Sequence, residues 1–401
     1  MKTGGTRALC ALFALTLSLL VPLCLCLSLA GCGNGERISL KPPQIAGWGE
    51  AVRVPNDCAE CFAIYRYENG RSAVVTGDGT AYLIADDPAE AKKDAAASNV
   101  TAAVLPRSPE RVYLAATAVM SFFDALDALP SLRFSALEAD GWTIEHARAR
   151  MENGDLLYAG RYRDPDYELL LSGKCDLSIQ STMSEHVPKV REKLEELGIP
   201  VFVDRSSYES DPLARCEWVR VYAEILGRPE EGDALYAEQK AYFDALEASP
   251  VNAGGQDRKT AVFFHITATG SFVTRKSGDY VSKMIELAGG RNVFAFAGDD
   301  NALSSVTVEA EEFCLRAKEA DVIIYNGNTS GPVASIDELV SKNALLAGFR
   351  AVRNGDVWCT EDSLYQDIMK TGEILADFSA VFSGTGDGGP LRYLRKLDRT
   401  S

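Results

Sequence analysis

One stretch constrains the chain more than any other. Residues 228–249 read RPEEGDALYAEQKAYFDALEAS, the pattern of a single long helix. Pro229 suits a first helical position, where its missing N–H would be unpaired in any case. Glu230, Glu231 and Asp233 set negative charge at the positive end of the helix dipole, and Pro250 forbids continuation. Ala234, Ala237, Ala241, Ala245 and Ala248 recur at spacings of three and four, and Leu235, Tyr242 and Leu246 widen that face. Tyr236 and Phe243 fall on the opposite side. Apolar surface on two sides predicts a helix held between two bodies, and about 20 residues at roughly 1.5 Å each span about 30 Å, near the diameter of a small domain.

On both sides of this helix, strands alternate with helices. Before it, strands are expected at 111–116, 156–158, 175–179 and 200–203, with helices at 119–129, 144–153, 166–172, 185–197 and 213–226. After a Gly- and Asn-containing linker at 251–257, strands are expected at 260–265, 271–274, 321–325 and 356–359, with helices at 280–288, 308–319, 336–346 and 368–382. Such alternation predicts parallel sheets with helices on their faces. The halves echo each other faintly: Tyr167-Glu168-Leu-Leu-Leu runs into Asp176-Leu-Ser-Ile, and Glu311-Glu312-Phe-Cys-Leu runs into Asp321-Val-Ile-Ile. The expected fold is therefore α/β, with two Rossmann-like lobes (109–227 and 251–385) joined by one long rigid helix (228–250). Ligands of open α/β sheets sit beyond the carboxyl ends of the strands, which places a ligand cleft between the lobes. Residues 32–108 read as a tether followed by a β-rich extension. Its short strands lie around Asn69-Gly70, a hairpin signal, and Gly77-Asp78-Gly79. Alone they make a poor core, so the extension is expected to pack on the next lobe. Residues 386–401 read as a tail.

The N-terminus has the features of an export signal. Lys2 and Arg7 precede an apolar run from Ala8 to Gly31, broken by Pro22. The run is long enough to span a membrane, but it ends in Leu29-Ala30-Gly31-Cys32, which resembles the bacterial lipobox. That resemblance implies removal of residues 1–31 and acylation of Cys32, giving an exported protein lipid-anchored on the outer face of the cytoplasmic membrane. Without Lys2 and Arg7, 39 Lys and Arg face 57 Asp and Glu, a net −18, which argues against a nucleic-acid partner. Beyond Cys32 six cysteines remain, an even number that permits disulfides in an exported chain without naming pairs. Cys58 and Cys61 have CxxC spacing, but no thioredoxin-like βαβ context or second Cys/His pair accompanies them, so a local disulfide or simple thiols are expected.

Four further stretches carry a family resemblance. They are Gly278-Asp-Tyr-Val-Ser-Lys-Met-Ile-Glu-Leu-Ala-Gly-Gly290, Ala317-Lys-Glu-Ala-Asp-Val-Ile-Ile-Tyr325, Ala351-Val-Arg-Asn-Gly-Asp-Val-Trp358, and Tyr167-Glu-Leu-Leu-Leu with Cys175-Asp-Leu. In this order, behind a lipobox, residues 109–382 resemble the solute-binding proteins of ABC importers for ferric siderophores, haem and cobalamin. The resemblance implies two α/β lobes on a rigid helix, a permease and ATPase complex as partner, and a monomer that binds a small-molecule metal complex. It also implies one surface Glu per lobe that meets Arg residues of the permease. Glu168 matches the first position; Glu311 matches the second best, with Glu309 and Glu312 beside it. Rim charges of this kind steer docking.

The residues also bear on the ligand. Only His146, His186 and His265 are present, too few for a bare-metal importer site. A ferric chelate is bulky and often anionic, so Arg, Lys and aromatic faces are expected in the cleft. Candidates follow strands or precede helices: Arg161, Tyr162 and Arg163; Ser181 and Met183; Arg275 and Lys276; Tyr325 and Asn326; and Tyr365. His265 and Met183 could instead ligate haem, or His265 cobalamin. No nucleophile elbow, phosphate loop or HExxH is present, so no catalytic residue, resident cofactor or bound structural metal is expected. The leading expectation is a receptor for an iron complex; the alternatives are a haem or cobalamin receptor of the same class and, further off, a surface adhesin.

Overall fold

The computed structural model describes residues 40–247, 258–295, 305–386 and 389–399. The expected Cys32 anchor and export signal lie outside them. Within them, the strands form three larger sheets and one two-stranded hairpin.

The extension comes first. Strands β1 (Ala51–Val54), β2 (Phe62–Tyr67), β3 (Ser72–Thr76) and β4 (Ala81–Ala85) form an antiparallel meander. Gly70 makes the β2–β3 turn at φ +80, a conformation that its missing side chain permits. Helix α1 (Pro88–Ala97), capped by Asp87, then crosses to β5 (Ala103–Pro106), which pairs parallel to β4. The sequence reading had no helix here. The buried positions of α1 are only Ala91 and Ala95, so its periodicity is faint. The sheet is covered on both faces. Ala63, Tyr65, Val75 and Leu83 belong to a cluster with Trp48, Ala91 and Ala95. Phe62, Ile64, Val74, Tyr82 and Ile84 share a core with the lobe that follows.

The first lobe has five strands, β6 (Val112–Leu114), β7 (Leu132–Ser135), β8 (Leu157–Tyr158), β11 (Leu177–Ser181) and β12 (Val201–Asp204), in the order β12-β11-β6-β7-β8. All neighbours are parallel. A small hairpin of β9 (Gly160–Arg161) and β10 (Asp164–Pro165) interrupts the series. Helices α2 (Met120–Ala125), α3 (Glu145–Glu152), α4 (Tyr167–Ser172) and α5 (Pro188–Glu196) lie along the crossovers. The single helix expected at 213–226 is two, α6 (Pro212–Glu217) and α7 (Val219–Ile225), meeting at Trp218.

Helix α8 (Pro229–Glu247) is the long connector, but of the two apolar sides expected of it only the side of Tyr236 and Phe243 is fully buried. Ala234, Ala237, Ala241 and Ala245 are exposed, whereas Gly232, Tyr236, Gln239 and Phe243 are buried. Two aromatic rings remove far more surface from water than four methyl groups, so they determine the facing side. Gly232 is required on that side, because a Cβ there would run into Ala223 of α7.

The second lobe contains β13 (Thr260–Ile266), β14 (Phe272–Arg275), helix α9 (Tyr280–Leu287), β15 (Arg291–Asn292), β16 (Ser305–Val308) and helix α10 (Ala310–Ala317). It continues with β17 (Val322–Tyr325), α11 (Gly327–Ser330), α12 (Ile336–Lys342), α13 (Arg350–Asn354), β18 (Val357–Thr360), α14 (Thr371–Ser383) and β19 (Leu394–Lys396). Its order is β16-β14-β13-β17-β18-β19, with β15 on β13. The expected tail is thus part of the fold: β19 pairs antiparallel to β18, and Tyr393, Leu394 and Leu397 are buried. One core cluster runs from Phe62 through Leu114, Trp218 and Phe243 to Phe263, Ile285 and Phe378. Extension, connector and both lobes therefore share apolar burial, and parting the lobes would expose it.

Candidate functional site

The carboxyl ends of the strands of the two lobes meet at one seam. On the first-lobe side, Arg215 sits in α6 and is 9% exposed. Its Nε donates to Ser206 O at 3.2 Å, just past the end of β12. On the second-lobe side, Asp279 caps α9 by accepting from Val281 N at 2.9 Å, and Tyr280 is the first residue of that helix. The Arg215 guanidinium lies 3.7 Å from the centroid of the Tyr280 ring, a cation–π contact across the lobes. The edge of this site is closed by Tyr365, whose ring centroid is 6.4 Å from that of Tyr280 in a T-shaped pair. Arg275 completes it, with Nη1 3.2 Å from Asp279 Oδ2.

Strand register adds three polar residues. Phe264 pairs with Tyr325, and Tyr325 with Cys359. One residue further, His265, Asn326 and Thr360 therefore stand at the carboxyl ends of β13, β17 and β18, on the face opposite those three. His265 Nδ1, Asn326 Oδ1 and the Tyr365 hydroxyl are buried atoms with no hydrogen-bond partner among the described residues. Burial, reinforced by the Arg275 charge, pushes the His265 imidazole below its ordinary value. Burial raises the Tyr280 and Tyr365 hydroxyls, against the pull of the neighbouring Arg residues. The seam thus gathers an imidazole, two phenols and two guanidiniums around the Asp279 carboxyl, which burial also raises, against the pull of the Arg275 charge.

A cavity of about 60 Å³ lies inside the seam, lined by Ala118, Arg215, Tyr280, Leu364 and Tyr365 among others. It is the size of a water or two. The lobes are tied beside it: Thr143 N and Oγ1 both donate to Gln366 Oε1 at 2.9 Å, Gln366 Nε2 donates to Gly141 O at 2.8 Å, and Lys283 Nζ donates to Ser210 Oγ at 2.9 Å.

Of the residues singled out in the sequence, His265, Arg275, Asn326 and Tyr365 come together here. Lys276 adjoins them, half-buried and with an interaction of its own. Ser181 and Met183 lie at the carboxyl end of β11, with Met183 50% exposed. Tyr325 is a correction: strand alternation turns it into the other core, edge-on to Phe264 at 5.8 Å. Arg161, Tyr162 and Arg163 stand apart in the β9–β10 hairpin, where the Arg163 guanidinium covers the Tyr162 ring at 5.2 Å. Arg215, Asp279 and Tyr280 were missed. Tyr280 lies inside a quoted family stretch, and Asp279 directly before an apolar helix has the form of an N-cap. Arg215 left only one trace, a charge inside the buried run Leu213-Ala-Arg-Cys-Glu-Trp-Val.

Glu168 and Glu311 are exposed in the first turns of α4 and α10. Helix α4 follows the carboxyl end of β8. Helix α10 follows β16, which runs in the direction of β13 because both are antiparallel to β14. Both glutamates therefore start helices at the end of the sheets where the seam lies. Each is followed on its helix by an exposed leucine, Leu171 at 46% and Leu315 at 76%. The six cysteines of the described residues are free thiols. No helix among those residues is long and apolar enough to cross a membrane.

The periplasmic binding protein family matches residues 116–364, more than half of the chain, and the chain belongs to that family. Two relatives from Methanocaldococcus jannaschii are both uncharacterized lipoproteins. MJ0878 is 29% identical over 245 residues, covering 60% of this chain and 56% of its own length. MJ0872 is 24% identical over 354 residues, covering 84% of this chain and 86% of its own length. Among solved structures, a periplasmic heme binding protein from Pseudomonas aeruginosa superposes with a TM-score of 0.57 at 18% identity, over 73% of this chain and 100% of that one. That likeness shows the shared two-lobed fold.

Proposed function

We propose that the chain is an exported, lipid-anchored receptor that captures an iron complex of the ferric siderophore type and delivers it to an ABC permease. The observation that carries this reading is the seam itself. Arg215 from one lobe and Arg275 from the other converge with Tyr280 and Tyr365 around a single carboxylate. Two guanidiniums and two phenols suit an anionic chelate with flat, aromatic or carboxylate-bearing arms. The inner cavity is far below the several hundred Å³ that such a ligand fills. The chelate therefore rests at the outer edge of the seam, where Arg275, Tyr280 and Tyr365 are partly exposed and the Arg215 guanidinium backs the Tyr280 ring. The shared core keeps closure modest. Glu168 and Glu311 then orient the loaded receptor on the permease, and Cys32 carries the lipid. Nothing in this scheme requires turnover of the ligand.

A second reading, a haem or cobalamin receptor, is favoured by one observation. The Tyr365 hydroxyl and His265 Nδ1 lack partners among the described residues, and either group can serve as an axial ligand to a macrocycle metal. The P. aeruginosa relative, a heme binding protein by name, is in keeping with it.

Thermal unfolding in the presence of haem, cobalamin and a panel of ferric siderophores tests both. A ligand at about a hundredfold over its Kd adds about 2.7 kcal/mol, a shift of a few degrees for a chain of this size. A shift from one class alone names the cargo; no shift from any of them removes both readings.

A further inference from the structure

At the end of the second lobe opposite the seam lies an open cavity of about 700 Å³. Five of its lining residues are cations: Arg258, Lys259, Arg291, Arg316 and Arg350. Among the described residues two carboxylates, Glu319 and Asp321, accompany them. This is the reverse of the chain as a whole, where acidic residues outnumber basic ones, 57 to 41. Thr260 and Arg291 open β13 and β15, and Asp321 directly precedes β17, so the cavity sits at the amino ends of the strands. The seven residues of β13 separate it from the seam by about 20 Å.

Three of the cations have structural duties. Arg258 donates to Glu286 O at the end of α9, Arg350 donates to Glu319 O just past α10, and Lys259 Nζ donates to Val381 O in the last turn of α14 at 3.3 Å. Each places positive charge at the negative end of a helix. These duties leave the cavity positive. Asp321 is already engaged, accepting from Thr260 N at 2.8 Å and Thr260 Oγ1 at 2.7 Å, with Arg350 at 3.2 Å. The Nε atoms of Arg258 and Arg350 are buried without a hydrogen-bond partner among the described residues. Arg291 is exposed on the rim. Arg316 reaches the cavity from the last turn of α10, where it also meets Glu312 at 3.0 Å.

We propose that this cavity is a binding site for a small phosphate-bearing polyanion, separate from the cleft. Guanidiniums held by backbone carbonyls keep a fixed fork geometry, the arrangement that phosphate oxygens match two at a time. The capping cations supply preorganised charge, and Arg291 and Arg316 supply the adjustable contacts. The ligand chemistry could come from a soluble phosphate compound or from a lipid headgroup.

Calorimetric titration of the purified protein with inorganic pyrophosphate at low ionic strength tests the proposal. One-to-one binding is expected, weakened about five- to tenfold by Arg291→Gln, since each charge-assisted contact at an exposed rim contributes at that level. Arg291→Glu should abolish it, and raised salt should weaken it. Lys193→Gln, a cation on the first lobe, should leave it unchanged. Arg291 is exposed, so both variants should melt with the wild type. Sedimentation with phosphatidylglycerol vesicles separates the two sources. Retention that pyrophosphate reverses assigns a headgroup, and pyrophosphate binding without retention assigns a soluble anion. Absence of pyrophosphate binding at millimolar concentration, or equal affinity in wild type and Arg291→Gln, overturns the proposal.

Discussion

Removing the Glu217 carboxylate should loosen the extension from the first lobe. This side chain is fully buried in α6. It accepts from Asp57 N at 2.6 Å, Cys58 N at 2.9 Å and Ala59 N at 2.7 Å, and its partner Arg220 lies at 2.9 Å. Glu209 receives Glu60 N at 3.1 Å and Cys61 N at 2.8 Å in the same way. Two carboxylates thus hold the whole loop that carries the CxxC spacing. In Glu217→Ala, the buried Ala59 N–H loses its partner outright, about 1.5–3 kcal/mol for a bond to a charged group. Asp57 and Cys58 are half-exposed, so water recovers part of their bonds, leaving roughly 0.5–1 kcal/mol each. Arg220 keeps Asp233 at 2.9 Å. The sum is about 2.5–5 kcal/mol. Glu217→Gln keeps one acceptor but turns an amide donor toward backbone donors, so about half of that loss is expected. Urea unfolding followed by circular dichroism measures both, with Glu196→Ala as an exposed control expected to stay within about 0.5 kcal/mol. A loss below about 1 kcal/mol in Glu217→Ala, or a Glu217→Gln variant equal to wild type, would refute the latch.

Gly232→Ala should destabilise by about 1–3 kcal/mol despite the better helix propensity of alanine, because the new methyl meets Ala223 and lies 3.3 Å from Arg220 Cα; thermal melting checks the sign. His265 has its folded pKa below the unfolded value. The unfolded chain therefore binds its proton first, and stability falls as pH drops through about 6.5, by no more than about 1.4 kcal/mol per pH unit. His265→Gln should remove that slope when melting is compared at pH 7.5 and 5. Charge reversal at Glu168 or Glu311 should lower uptake in cells while leaving ligand affinity in the purified protein unchanged; reduced affinity would place these residues in the cleft instead.

The lobes were readable because buried parallel strands print continuous apolar runs, such as Val322–Tyr325 and Thr260–Ile266, between amphipathic helices. What could not be read depends on partners distant in sequence. Strand β19 is three residues, Leu394–Lys396, and becomes a strand only beside β18. The alanine side of α8 is exposed where packing was expected, because a pattern of apolar labels weighs Ala equally with Tyr, whereas buried area separates them. Positions after strands pointed to His265, Arg275, Asn326 and Tyr365, which the fold brings to one seam. Arg215 could not be found that way, because its meaning comes from the Tyr280 ring across the seam. Tyr325 was lost for the opposite reason: a one-residue step along a strand changes the face.

The central claim is that Arg215 and Arg275 together seat an anionic metal complex. Isothermal titration of wild type, Arg215→Ala and Arg275→Ala with ferric hydroxamate, ferric catecholate, haem and cobalamin addresses it directly. One ligand class should bind one-to-one at about micromolar Kd or tighter, and each variant should weaken it at least about tenfold, Arg275→Ala by loss of a charge-assisted contact and Arg215→Ala by loss of the charge behind the Tyr280 ring. Tight binding that neither substitution disturbs would contradict the assignment of the site, and no binding by any of the four would contradict the cargo.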